Sequence, residues 1–157
     1  MHKTNFRLIA VAAALTMTGL AHAGQCPADK LAANDLKGAA TAPVGVVDTE
    51  LASIDLGNES VKLDQRRLRL RHMTIAPGGI VPMHSHEDRP ALIMVNSGEI
   101  YEYGSQCAVP ILHKAGEVAR EFMGTKHWWK NSGTQAVDLT IGDIVNDKKP
   151  MTMEKMM

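Results

Sequence analysis

The sequence predicts an all-β domain, a small antiparallel sandwich or barrel. Three observations predict it. Strand-length segments with period-two alternation recur at short intervals, turns rich in Gly, Pro and Asn separate them, and no long helical pattern interrupts the body of the chain. A length of 157 residues accommodates one domain. Aromatic residues make up only 4% of the chain, so the core is expected to rest on Val, Ile, Leu and Met. Basic and acidic residues balance at 17 each, which gives no basis for a nucleic-acid partner.

The elements follow in order. Lys3 and Arg7, an apolar run over 8–20 and the small-x-small triplet Ala21-His22-Ala23 read as a signal peptide over 1–23. The apolar run is too short to span a bilayer comfortably. Gln25 precedes Cys26 where lipoprotein processing wants a small residue, so an exported protein without a membrane anchor is expected, periplasmic or secreted. Residues 24–47 are rich in Ala, Gly and Pro and read as an arm with one short helix around 28–36. A barrel domain is expected over 48–146, and a Met-rich tail over 147–157. That tail reads as a frayed end, with Cu(I) binding as the weaker reading.

Within the barrel, alternation begins after Glu50. It continues over 67–75, where Leu68, Leu70, His72 and Thr74 take one face and Arg67, Arg69 and Arg71 the other. Further strands are expected at 91–95, 99–103, 109–113, 118–122, 128–131 and 136–145, with turns at Pro77-Gly78-Gly79, Asn96-Ser97-Gly98, Ala115-Gly116 and Asn131-Ser132-Gly133. In an oxidising compartment Cys26 and Cys107 are expected to pair and staple the arm to the barrel, the alternative being two buried free thiols.

The residues that carry chemistry are histidines. His84 and His86 are two apart, so on a strand both imidazoles enter one cavity. His127 comes from a separate segment. Its neighbour Trp128 should point away, while Trp129 is two residues on and shares its face. Three neutral imidazoles can hold a divalent metal and leave positions open for water, substrate or dioxygen. His72 and His113 are read as ordinary surface or core histidines. Arg89 could hold a substrate carboxylate, and Tyr101 could offer a hydroxyl to the cavity, with a solvated arginine and a packed tyrosine as the plainer readings.

These segments resemble the two motifs of the cupins. Gly78, His84, His86 and Gly98 fall in register with the first motif, and Gly116, Gly124, His127 and Asn131 with the second. The resemblance covers roughly residues 50–145 and implies a jelly-roll barrel. It also implies a divalent cation, Fe, Mn, Ni or Zn, on His84, His86 and His127. Two positions depart from the pattern. The family's metal-binding glutamate falls on Ala91 with a gap of four residues after His86, or on Pro90 with a gap of three, and Phe122 stands where a proline does. The site therefore looks like the three-histidine variant found in cysteine dioxygenase-type cupins, with Glu87, Asp88, Glu99 and Glu121 as nearby carboxylates. Arg89, Tyr101 and Trp129 are the candidate ligand-binding residues, and no catalytic side chain stands out. A metal left without a carboxylate would favour an anionic ligand. The expected function is a mononuclear dioxygenase or isomerase acting on a small anionic organic molecule. The alternative is a non-catalytic periplasmic protein that binds a small ligand or a metal. By analogy with relatives, the assembly is a homodimer.

Overall fold

The computed structural model describes residues 25–148. The expected signal peptide and nearly all of the Met-rich tail lie outside the described residues. No described helix is long and apolar enough to cross a membrane.

Eight strands form the domain: β1 (Val44–Asp55), β2 (Arg66–Ser85), β3 (Ala91–Ser97), β4 (Glu99–Gly104), β5 (Ile111–Lys114), β6 (Val118–Glu121), β7 (Lys126–Lys130) and β8 (Val137–Asn146). All pairings are antiparallel, in the order β5-β4-β7-β2-β8-β3-β6, with β1 also on β2. The sheet curls into a nearly closed barrel, the all-β fold expected. Its core is aliphatic apart from one indole: Met73, Ile75, Val81, Ile93, Val95, Ile100, Trp129, Val137, Leu139 and Ile141 pack together. Each such side chain contributes roughly 1.5–3 kcal/mol through burial.

Two local readings change. The arm holds a single 3-10 turn at Ala28–Lys30 in place of a helix over 28–36. Pro77-Gly78-Gly79 does not reverse the chain, because β2 runs through it as one strand of 20 residues. The bend there is imposed by glycine geometry. Gly78 has φ +73°, and a Cβ on Gly79 would meet the Ala76 carbonyl oxygen at 2.7 Å and that of Val44 at 2.9 Å. Asn131 clamps the bend by donating from Nδ2 to the carbonyls of Ile75 (3.0 Å), Ala76 (3.1 Å) and Gln135 (2.8 Å). Before the bend β2 lies between β1 and β8; after it, β2 pairs with β7.

The faces of β2 are distributed unusually. Arg69 and Arg71 are buried, whereas Leu68 and Leu70 are 42% and 43% exposed. The arginines survive burial because acids meet them from neighbouring strands. Arg69 forms a bidentate pair with Asp143 of β8 (3.0 and 2.8 Å), and Arg71 pairs with Asp48 of β1. The outward face of β1, β2, β8, β3 and β6 carries the exposed apolar residues Ile54, Leu68, Leu70, Leu92, Met94 and Val118.

The arm is tied down by a Cys26–Cys107 disulfide. It is held further by backbone pairing around Leu31 and Cys107, and Asn34 Nδ2 donates to the Cys107 carbonyl at 3.1 Å.

Candidate metal centre

The bend in β2 aims the chain after it at β7, and the register then sets His84 directly across from His127. His86 lies just beyond β2, where its backbone N–H donates to the Thr125 carbonyl at 2.9 Å. All three imidazoles are buried. Their Nε2 atoms form a triangle with edges of 3.1 Å (His84–His86), 3.1 Å (His86–His127) and 3.0 Å (His84–His127).

The tautomers follow from what each Nδ1 touches. His84 Nδ1 donates to the Pro82 carbonyl (2.9 Å) and His86 Nδ1 to the Arg89 carbonyl (2.7 Å); His127 Nδ1 lies 2.9 Å from Glu102 Oε1, whose charge favours the proton there, although the Trp129 indole Nε1 also points at it from 3.0 Å. With the protons there, three Nε2 lone pairs converge on one point. That arrangement repels itself unless a cation sits among them, so the donor set fits a divalent metal. Its size is informative as well. Nitrogens about 2.1 Å from one ion lie about 3.0 Å apart at right angles and about 3.4 Å apart in a tetrahedron. The observed edges match the right-angle case.

Electrostatics divide the three ligands. Burial, then the neighbouring His127, drives His84 well below its ordinary pKa and His86 down to about 3. For metal-free His127, burial also lowers the value, but Glu121 and Glu102 outweigh it and raise the pKa to about 9. Glu102 is held down at about 2, because hydrogen bonds from His113 and His127 overcome its burial.

Glu102 was not singled out from the sequence, and His113 was read only as an ordinary surface or core histidine. Glu102 bridges His127 and His113, accepting at 2.9 and 2.8 Å. His113 is fully buried and stacks on Trp129 with ring centroids 4.7 Å apart. Glu121 reaches the outer side of the His127 imidazole, 3.4 Å from its Nδ1. On the Nε2 side a cavity of about 20 Å³ is lined by the three histidines, Trp129, aliphatic side chains and Arg71. That volume accommodates about one water-sized ligand.

Residues 71–142 match the family model Cupin_2, described as a cupin domain. It is a cupin fold. Solved structures agree at the level of fold. The cupin domain of Cnp3 from Schizosaccharomyces pombe is 16% identical, with a TM-score of 0.52 and 67% of each chain covered. KdgF from Halomonas sp. is 12% identical, with a TM-score of 0.51, over 66% of this chain and 83% of that one. A predicted oxalate decarboxylase from Thermotoga maritima is 17% identical, with a TM-score of 0.51, over 73% of this chain and 99% of that one. No curated protein sequence matches the chain.

Within this barrel the other expected site residues are placed as follows. Trp129 is buried and lines the metal cavity, while Trp128 points away and stacks on Tyr103. Tyr101 alternates with buried Glu102 and so faces outward, away from the imidazoles. Arg89 is not at an open rim. Its side chain is buried among Arg71, Asp143, Arg69 and Asp48, and burial with Arg71 pulls its pKa to about 10. Glu87 is exposed and accepts from the Gly124 N–H, Asp88 pairs with Arg66, and Glu99 is exposed at the start of β4. None of these joins the Nε2 triangle.

Proposed function

We propose that this protein is an exported mononuclear metal protein whose divalent ion is held by His84, His86 and His127 and which acts as a dioxygenase or isomerase on a small anionic organic molecule. The carrying observation is the triangle of three converging Nε2 atoms, each ring held from behind by an acceptor near Nδ1. The right-angle spacing favours Fe, Mn or Ni over Zn, which prefers a tetrahedral set. When bound, such an ion supplies Lewis acidity or a site for dioxygen. The chain's own residues do the rest. Glu102 fixes the tautomer and orientation of His127. Apolar Met73, Val81, Ile93, Leu139 and Ile141 limit water around the open positions. Arg71 brings a guanidinium to the same cavity and supports an anionic substrate.

Non-catalytic binding is the second reading, and the small cavity favours it, since about 20 Å³ admits only a minimal ligand without movement of the walls. Elemental analysis tests the shared premise. Roughly one ion per chain is expected, falling below about a tenth in His84→Ala, as a three-nitrogen site requires. Metal content that ignores His84→Ala would reject the site. Oxygen uptake with small organic acids, thiols and phenols then separates enzyme from binder.

The disulfide fits an oxidising compartment, which supports periplasmic or secreted location. The outward apolar face of β1, β2, β8 and β3 supports a homodimer, to be checked by sedimentation equilibrium.

A further inference from the structure

A cavity lies on the opposite side of His127 from the metal triangle, lined by Glu102 and Glu121. The sheet order ends at β5 on one side and β6 on the other, and the arm crosses the gap between them. A chamber of about 380 Å³ opens there. That is within the size range of small-molecule sites. The arm contributes Ala28, Leu31 and the disulfide to one wall, β5 contributes Ile111, and Phe122 lies past the end of β6. Leu31 and Phe122 are 66% and 53% exposed, so apolar surface faces the chamber unfilled.

Its floor is Glu121 with Glu102. The two carboxylates differ. Glu102 has both oxygens engaged, by His113 and by His127. The Glu121 side chain is only 3% exposed, yet among the described residues its one polar contact is Oε1 at 3.4 Å from His127 Nδ1. That distance is beyond a normal hydrogen bond, and Nδ1 lies closer to Glu102, at 2.9 Å. A carboxylate so deeply buried with so little donation to it is costly, and a donor supplied by a ligand would relieve the cost.

We propose that this chamber is a binding site for a small organic cation, whose ammonium group donates to Glu121 while its apolar body rests on Leu31, Ile111 and Phe122. The acidic floor selects positive charge. The only basic side chain on the lining is Arg120, which is exposed and on the opposite face of β6 from Glu121. A bare divalent ion fits less well. Glu102 is already committed, Nδ1 of His127 would have to surrender its proton, and the chamber is too large and too apolar for a lone ion. The site stands on the chamber and Glu121, and it does not depend on the metal reading.

The test is an NMR titration of the full, isotope-labelled chain with benzylammonium and with two probes of similar shape, neutral benzyl alcohol and anionic benzoate. Benzylammonium should give saturable shifts at Ala28, Leu31, Ile111 and Glu121 below about 10 mM, and the other two should not. Glu121→Gln should weaken binding about tenfold or more, as loss of a charged hydrogen-bond acceptor does. Leu31→Arg changes an exposed wall position, so it serves if Glu121→Gln fails to fold; it should abolish binding by placing a rival cation beside Glu121. No saturable shift, equal binding of benzoate, or unchanged binding in Leu31→Arg would overturn the proposal. So would Ni(II) occupying Glu121 in a manner benzylammonium cannot displace.

Discussion

Replacing Glu102 by Gln isolates the support of the metal site from its ligands. Gln keeps the size of the side chain and one carbonyl acceptor, but removes the charge that faces His127 and His113 at 2.9 and 2.8 Å. Disturbing the partner behind a metal-bound imidazole, here by removing its charge, costs about 10–100-fold in metal affinity, about 1.4–2.7 kcal/mol. A second effect opposes this one. In the metal-free protein His127 is held up to about 9, so at pH 7 an arriving ion must displace its proton. That competition weakens the apparent wild-type affinity at pH 7 by ~100-fold. Glu102→Gln removes part of the negative charge that sustains it, so some of the intrinsic loss is masked at pH 7 and uncovered above pH 9. The assay is Ni(II) titration against a competing chelator at pH 7 and at about pH 9.5. The affinity deficit of the variant should be the larger at the higher pH. A deficit below about threefold at both pH values in a folded variant would refute the role of Glu102. A deficit larger at pH 7 than at pH 9.5 would refute the proton competition.

Three other outcomes are expected. Wild-type metal affinity should rise about tenfold per pH unit from 7 until it levels near 9, with about one proton released per ion in calorimetry across buffers; a flat profile contradicts a protonated metal-free His127. Gly79→Ala should lower the unfolding free energy, read from denaturant titration, by about 2–3 kcal/mol or more, since its Cβ meets two carbonyl oxygens under 3.0 Å at the β2 bend, and near-neutrality would mean the bend relaxes freely. Cys26→Ser should cost about 4–5 kcal/mol in the chain-entropy model for a separation of 81 residues, read from chemical unfolding with and without reductant. Loss of under about 1 kcal/mol would show that the arm contributes little to global stability.

The barrel was legible because alternation and turns are local signals. The strand from Val137 to Asn146 is buried at every second residue, as its sequence alternation suggested. Less legible was β2. Period two assigns residues to two faces but does not say which face is inside, and arginines against leucines invite the wrong choice. What places Arg69 and Arg71 inward is Asp48 on β1 and Asp143 on β8, more than twenty and seventy residues away in sequence respectively. Likewise Pro77-Gly78-Gly79 carries every mark of a chain reversal. Only the clamp from Asn131 and the close approach of other backbone to Gly79 show that it is a bend within one strand.

The three imidazoles were legible for the same reason as the barrel, fixed spacing within segments, whereas the carboxylates behind them were not. The sequence shows Ala91 where a charged ligand would stand, and from that alone an ion in the site looks uncompensated. Pairing of β3 with β6 sets Glu121 directly opposite Ala91. The negative charge missing from β3 is therefore present one strand over, where it meets His127 rather than the ion. Glu102 adds a second, hidden between two tyrosines that draw attention to the wrong face of β4. Two carboxylates on one ligand offset much of a divalent charge through the imidazole. Preference for an anion then cannot rest on a bare ion alone. It has to rest also on Arg71, the one guanidinium on the lining of the cavity where a ligand would meet the metal. The face of β2 that sequence alternation would leave in solvent is thus the face that sets the charge of the site.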